Sequence, residues 1–205
     1  MADADWYALL TEAQAEWYAT FATYVPFVLM GAPTAMSTAD SGATYTFSSS
    51  VYPTGGLEVY DSATGRLLRP AAYWESAGDY VWEGNKIRIT KGGTRSFTGG
   101  PVARYITPPT TIDGSTAPTL KPDECRILLV HRALIKWATL SALQDPEKWE
   151  RAEQKAWMGD PANGQVGFLG QLKTQNLFMG SAGYAGGEYT DGLAYLHTVS
   201  GYTAI

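Results

Sequence analysis

The stretch Tyr80–Ile89, YVWEGNKIRI, predicts a β-hairpin near the middle of this 205-residue chain. Both halves of the stretch are rich in β-branched and aromatic residues, which favour strands. Glu83-Gly84-Asn85 between them is a turn signal, because tight hairpin turns prefer glycine and asparagine. The first expectation for the fold is therefore an antiparallel sheet.

Short runs of the same character continue on both sides of the hairpin, from about Ala43 to Thr107. The run Leu57–Tyr60 alternates in the way that half-buried strands do. Turns that contain glycine or proline separate the runs, which read TYTF, LEVY, GRLL, DYVW, KIRIT and ARYI. Several short strands at this spacing predict a small antiparallel sandwich or barrel.

A helix is predicted before this β region, from about Asp5 to Met30. Its apolar residues recur every three to four positions and define one face: Trp6, Leu9, Leu10, Ala13, Trp17, Phe21 and Tyr24. The polar residues Glu12, Gln14 and Glu16 are expected on the other faces. Pro26 is expected to kink or end the helix.

Further helices are predicted after a linker rich in proline and threonine. The first runs from Cys125 to Gln144. Asp145-Pro146-Glu147 predicts a restart, because aspartate caps a helix and proline is tolerated at its first position. Asp160-Pro161 repeats this signal before a weaker helix toward Leu177. Two such restarts indicate tight corners between helices.

These patterns predict an α+β fold, in which an α-helical bundle carries an inserted small antiparallel β domain and an extended C-terminal arm. Residues 1–35 are expected to form the N-terminal helix of the bundle. Residues 36–120 form the inserted β domain with its linker, and residues 121–178 the helical bundle segment. Residues 179–205 form the arm.

The composition excludes several classes of function. Charged residues make up 17% of the chain, below the usual share of about 25%, which indicates a surface partly hidden in contacts. A net charge of −5 argues against a free nucleic-acid binder. One cysteine excludes an internal disulfide and a cysteine-based zinc site, and two histidines argue against a histidine-based metal site. No secretory signal or transmembrane stretch is visible, and no cofactor is expected.

The sequence carries no recognisable catalytic motif, so the chain is not expected to be an enzyme. It has no GxSxG and no phosphate-binding loop. Cys125 and His131 are six positions apart on one predicted helix, which does not place them on neighbouring turns of one face.

The acidic and aromatic residues of the β region support one alternative, a carbohydrate-binding or glycan-cleaving module. Glycosidases need two carboxylates, and flat rings stack on sugar faces. This module would centre on Trp74 and Trp82. The residues that could contribute are Glu58, Asp61, Glu75, Asp79, Glu83, Tyr60 and Tyr73.

Basic residues also concentrate in the β region, whereas the N-terminal helix has acids and no base. The cluster comprises Arg66, Arg69, Lys86, Arg88, Lys91, Arg95 and Arg104. These residues either lie on the solvent faces of strands or form a charge-complementary surface for docking between copies or partners. For contacts between subunits we select Arg88 and the aromatic residues Trp149 and Trp157, for which burial in the core is the alternative.

The last residues, from about Gly180 to Ile205, are rich in glycine and almost uncharged. Two interpretations are open, a disordered tail or an arm that becomes ordered on a partner. Tyrosine is enriched at interfaces because its body is apolar and its tip is polar. The arm hypothesis assigns partner docking to Tyr184, Tyr189, Tyr195 and Tyr202.

The order of these features resembles the head-to-tail adaptor (connector) proteins of long-tailed bacteriophages. The stretch WYALL at 6–10, running into Tyr24-Val25-Pro26, is similar to their opening helix. LEVYDSATGRLL, AGDYVWEGNKIRIT and GPVARYITPP are similar to their inserted β segment. RILLVHRALIKWATLSALQDPEKWERAEQKA is similar to their later helices.

The resemblance implies a structural virion protein that assembles in the host cytoplasm and carries no catalytic residues. It implies a homo-oligomeric ring of about twelve subunits. Such a ring binds the portal protein and the stopper or tail-completion protein, and it extends the DNA channel, through which DNA passes without specific binding. No membrane is involved. A tail-tube or decoration subunit is a further alternative, which copy number separates from a connector.

Overall fold

A computed structural model describes residues 3–40, 44–53, 56–71, 78–90, 100–141 and 145–182 of the chain. The chain divides into two compact units, Met1–Lys173 and Thr174–Ile205. In the second unit the described residues are 174–182, which form the last part of a helix. The predicted C-terminal arm lies almost entirely outside the described residues.

The first helix, α1, spans Asp3–Tyr24. Leu9, Ala13, Trp17 and Phe21 are buried, as their spacing predicts. The helix ends before Pro26, and a 3₁₀ turn, Pro26–Val28, follows it.

The last position of the predicted buried face of α1 differs from the expectation. Tyr24 is 55% exposed, and Val25 is fully buried in its place. Val25 has left helical geometry (φ −145°, ψ 53°), so the helical period no longer decides which side chain faces the core.

The described residues between α1 and the next α-helix form seven strands: β1 Thr34–Ala35, β2 Ser37–Asp40, β3 Thr44–Thr46, β4 Leu57–Asp61, β5 Tyr80–Trp82, β6 Lys86–Ile89 and β7 Pro101–Tyr105. They form two sheets, ordered β1-β7-β4 and β2-β3-β6-β5, and every strand pairing is antiparallel. The predicted α+β class is therefore confirmed.

The hairpin predicted at Tyr80–Ile89 is confirmed as β5 and β6. Trp82 lies opposite Ile87, and the Glu83 amide donates to the Lys86 carbonyl at 2.8 Å. Gly84 has φ +68°, which is the left-handed conformation that this turn requires.

The run GRLL, in contrast, does not form a strand of its own. A tight turn at Asp61–Gly65 brings it back against β4, where Tyr60 and Leu67 form an isolated bridge. Asp61 stabilises this turn by accepting hydrogen bonds from the Ala63 amide and the Thr64 hydroxyl.

These two sheets share one apolar core, as in a sandwich. Val59 and Ala103 contribute from the first sheet and Tyr80 and Ile87 from the second. Phe47, just after β3, packs edge-on against Tyr105 of β7, with ring centroids 5.0 Å apart.

Three further α-helices follow: α2 Arg126–Ser141, α3 Glu147–Met158 and α4 Phe168–Ala182. α3 begins at the predicted restart, where the Asp145 carboxylate accepts a hydrogen bond from the Glu147 amide at 2.9 Å. α4 runs five residues past Leu177, where the sequence had placed its end.

The second predicted restart, Asp160-Pro161, differs from the expectation. A small hairpin of β8 (Gly159–Asp160) and β9 (Gln165–Val166) encloses a 3₁₀ turn, Pro161–Asn163. Gly159 has φ +93°, and a Cβ atom at that position would lie 2.3 Å from the Gln165 carbonyl oxygen. The chain therefore turns sharply before α4 begins.

The predicted linker is bound along α1. The Gln14 side-chain amide donates to the Thr110 carbonyl at 2.6 Å and accepts from the Thr119 amide at 2.8 Å. Tyr18 donates its hydroxyl to the Thr107 carbonyl at 2.7 Å. The expectation that Gln14 lies away from the core is wrong, because it is buried to satisfy these backbone groups.

The β region leaves and rejoins the helical part at one place. Met30 and Ile106 form an isolated antiparallel bridge. Beside it, the Gly31 amide donates to the Tyr105 carbonyl at 3.2 Å.

Candidate docking surfaces

Trp157 lies inside the subunit. Its ring centroid is 5.1 Å from that of Trp17 and 5.2 Å from that of Phe21, and all three rings are buried. The cluster also includes Leu128 and Leu129. The structure thus places this selected residue in the core that joins α1, α2 and α3.

Trp149, the other selected aromatic residue, is half-buried on α3. The Lys148 ammonium lies 4.9 Å from the centroid of its ring, within the range of a cation–π contact. On the α2 side, the ring of His131 lies 6.3 Å away. Trp149 is therefore a surface aromatic at the contact between α2 and α3.

Arg88, the third selected residue, is exposed on β6. Its Nε donates to the Glu83 carboxylate at 2.8 Å. This hydrogen bond is the largest cause that lowers the pKa of Glu83, and the charges of Arg88 and Lys86 act in the same direction.

The remaining basic residues of the β region are partly neutralised in the same way. Arg66 pairs with Asp79 at 3.0 Å, and Arg104 pairs with Glu58 at 3.4 Å. Lys91 and Arg95 lie outside the described residues. In these described pairs a positive and a negative side chain lie side by side on the surface.

The tail tyrosines Tyr184, Tyr189, Tyr195 and Tyr202 lie outside the described residues. The docking role that the sequence suggests for them stays a prediction. Trp74, Glu75 and Tyr73, which the carbohydrate alternative requires, also lie outside the described part.

The described carboxylates of the carbohydrate alternative are all engaged by the protein. Glu58 accepts from Tyr60 at 2.5 Å and pairs with Arg104. Asp61 holds its own turn, and Asp79 accepts from the Arg69 amide at 3.0 Å. The Trp82 indole donates to the Gly84 carbonyl. These contacts give each side chain a local structural role.

Cys125 is fully buried, and burial, with a smaller contribution from the charge of Glu124, raises the pKa of its thiol to about 12. The thiolate, which is the nucleophile in cysteine chemistry, is therefore not populated near neutral pH. Over the described ranges, no group of three or more metal-ligating side chains occurs.

A polar network that the sequence analysis did not identify connects α1, α2 and α3. Glu153 of α3 is buried, and its carboxylate accepts from the Trp17 indole at 2.9 Å and from Arg132 through two nitrogens at 2.8 Å each. Arg132 also binds Glu16 at 3.0 Å. The hydrogen bonds that Arg132 donates to Glu153 are the largest cause that raises the pKa of Arg132.

Glu16 extends this network along α1. Its carboxylate lies 2.6 Å from the Lys136 ammonium, which also binds Glu12 at 3.2 Å. Burial alone would raise the pKa of Glu16. The hydrogen bonds and charges of Lys136 and Arg132 outweigh burial, so the pKa of Glu16 is lowered. The only sequence signal for this network is the i, i+4 spacing of Glu12 with Glu16 and of Arg132 with Lys136 within the described helices.

An apolar groove opens on the surface of the helical part, beside the β8–β9 hairpin. Its volume is about 550 Å³. Ile127 of α2, Ala152 and Ala156 of α3, Val166 of β9 and Phe168 of α4 supply its apolar wall.

Two residues of the groove are large, apolar and exposed to solvent. Ile127 is 42% exposed and Val166 is 61% exposed. Lys155 at the rim pairs with Asp160 at 3.0 Å. The sequence analysis missed this surface because the hairpin that brings Val166 beside α2 and α3 was predicted as helix.

No helix within the described ranges is long and apolar enough to cross a membrane. Comparisons of the chain with protein-family models, with curated proteins and with solved structures found no match.

Proposed function

We propose that this chain is a non-enzymatic structural subunit of a tailed-bacteriophage virion. In this proposal it is the head-to-tail adaptor, a ring of about twelve copies that joins the portal to the stopper or tail and extends the DNA channel. The proposal rests on the order of sequence features and on the surfaces of the subunit.

The observation that carries the proposal is the apolar groove beside the β8–β9 hairpin. Exposed apolar side chains that lie together on a surface mark candidate sites of contact. A ring built from heterologous contacts needs two different adhesive surfaces on every copy. The groove, with Ile127 and Val166 exposed at its wall, is suited to one of them.

The charge distribution agrees with a channel protein. α1 contains four acids, Asp3, Asp5, Glu12 and Glu16, and no base. Glu12 and Glu16 pair with Lys136 of α2, and Asp3 and Asp5 lie in the exposed first turn of α1. Acidic surface repels the phosphate backbone, so DNA would pass without being retained.

Within this proposal the tail tyrosines dock on the portal, and several weak arms in one ring reinforce each other through avidity. Trp149 and Arg88 contribute to contacts between subunits, because both reach the surface. Trp157 supports those contacts through the core that positions α3.

Copy number in purified virions tests the proposal directly. Quantitative mass spectrometry should find about twelve copies per particle, since closed rings fix a small number of subunits. Hundreds of copies would assign the chain to a tail tube or to capsid decoration. Absence from the particles would refute a virion role and return attention to carbohydrate binding.

A further inference from the structure

His131 has a buried ring nitrogen, Nδ1, that makes no hydrogen bond within the described residues. Within the described residues, three buried side-chain atoms make no hydrogen bond in the protein: Thr119 Oγ1, Arg126 Nε and His131 Nδ1. A neutral imidazole tolerates this arrangement when Nδ1 carries no proton. A protonated imidazole has N–H groups at both nitrogens, so its Nδ1–H would be a buried donor without an acceptor.

Among the described residues, Nδ1 of His131 has no hydrogen-bond partner that could accept that proton. Its ring lies 6.3 Å from Trp149 of α3, at an angle of 36°. The same indole ring also carries a nearby positive charge, because the Lys148 ammonium lies over it. Glu153 of α3 is the acid whose charge acts on His131, but Arg132 and Trp17 already bind both of its oxygens.

The acids of α1 and of the turn before α2 are paired or exposed to solvent. α1 presents Glu12 and Glu16, which are bound by Lys136 and Arg132. The turn before α2 presents Asp123, which pairs with Arg126 at 2.8 Å, and Glu124, which is exposed. Protonation of His131 therefore adds a charge at the α2–α3 contact, where the charge of Glu153 offsets only part of the cost of burial.

We propose that His131 is a proton-sensitive contact, which weakens the packing of α3 on α2 when the solution becomes mildly acidic. Burial agrees with this direction, because it lowers the pKa of His131 below its usual 6.5 and outweighs the opposing charge of Glu153. Ile127 lies one turn before His131, and Ala152 lies one turn after Trp149. The sensitive contact therefore borders the apolar groove.

The sign of the pH effect follows from this shift. A histidine whose pKa is lower in the folded protein stabilises the fold above pH 6.5, and this contribution is lost as the pH falls through the lowered value. The carboxylates with shifted pKa values, Glu16, Glu83, Asp113 and Asp160, have pKa values lowered from 4.5 or 3.8 and so titrate below this range. Among the groups with shifted pKa values, the interval from pH 7.5 to 5.5 therefore probes His131, and the second histidine of the chain, His197, needs a control.

The chain has two histidines, His131 and His197, so a matched experiment is available on the full-length protein. Urea unfolding followed by tryptophan fluorescence should show a lower midpoint at pH 5.5 than at pH 7.5. The variant His131→Gln should lose most of this difference, and His197→Gln should keep it. An equal pH effect in wild type and His131→Gln, or no effect in wild type, would overturn the proposal.

A second measurement covers the case in which His131→Gln fails to fold. In His197→Gln the imidazole proton resonances belong to His131 alone. Their titration midpoint should lie below 6.5 in the folded protein. A midpoint at 6.5 or above would contradict the proposal, whether or not the protein forms a ring.

Discussion

The buried carboxylate of Glu153 accepts a hydrogen bond from the indole nitrogen of Trp17 at 2.9 Å, across 136 positions of sequence. Arg132 binds the same carboxylate through two nitrogens. One acid on α3 therefore connects side chains of α1 and α2. The three helices around the aromatic core depend on this charge as well as on apolar packing.

Replacement of Glu153 by glutamine should destabilise the fold by about 1–3 kcal/mol, because the hydrogen bonds to a charged group are lost and Arg132 retains its charge. Urea unfolding followed by tryptophan fluorescence measures the change. Glu12→Gln is the matched control, since the Glu12 side chain is 62% exposed and its surface pair contributes less than about 1 kcal/mol. Equal effects of the two substitutions would contradict the assigned role.

Replacement of Gln14 by alanine should release the linker from α1. It leaves the Thr119 amide and the Thr110 carbonyl without their partner, at an expected cost of about 1–3 kcal/mol. Hydrogen exchange should show faster exchange at the Thr119 amide. Gln154→Ala, at an exposed helical position, should change stability by less than about 0.5 kcal/mol. Unchanged protection at Thr119 would show that other contacts hold the linker.

Replacement of Gly159 by alanine should disrupt the β8–β9 hairpin. The new Cβ atom would meet the Gln165 carbonyl oxygen at 2.3 Å, and the positive φ adds strain of about 1–3 kcal/mol. Gly164→Ala is the control, because φ there is +66° but no atom lies within 4 Å of the new Cβ. Thermal unfolding should show a clearly larger loss for Gly159→Ala. Similar losses would mean that the close approach is relieved by local movement.

Replacement of Val166 by aspartate tests the groove as an assembly surface. Val166 is 61% exposed, so the stability of the subunit should change by less than about 0.5 kcal/mol. Incorporation into virions should fall at least tenfold, which quantitative mass spectrometry of purified particles would measure. Leu140→Asp provides an exposed apolar control at the C-terminal end of α2, with 77% exposure. Normal incorporation of Val166→Asp would remove the groove from the interface.

Deletion of Gly180–Ile205 tests the arm. The deletion should leave the fold of the remaining chain intact while abolishing docking to the portal, because the proposed tyrosine anchors are removed. Circular dichroism monitors the fold, and co-sedimentation with purified portal rings measures docking. A truncated protein that unfolds, or that still docks normally, would contradict the arm hypothesis.

Local sequence patterns predicted the helices and strands well where a single residue, or the hydrophobic period of one segment, determines the backbone conformation. Pro26 ends α1, the Gly84 turn closes the β5–β6 hairpin, and Asp145 precedes α3 as expected. The pattern was misleading at Asp160-Pro161, because Gly159 and Gly164 impose left-handed backbone that a capping signal does not reveal.

The surfaces were less predictable than the elements, since they depend on contacts between distant residues. Glutamine is a residue type that usually faces solvent, yet Gln14 is buried because the linker returns across α1. In the sequence Glu153 cannot be distinguished from a solvent-exposed helical acid, because its partners Arg132 and Trp17 are distant along the chain. Trp149 and Trp157 are of the same residue type but lie about 80° apart around α3. Trp157 is the buried ring because Trp17 and Phe21 of α1 pack on it.

The bridge between Met30 and Ile106 has a consequence for how such a protein can change over evolutionary time. The chain departs for the β region and returns from it at neighbouring points, where Met30 and Gly31 meet Ile106 and Tyr105. Loops can be lengthened, shortened or exchanged beyond that closure without altering the spacing of the helices. The helical part and the β region can therefore diversify at different rates within one gene.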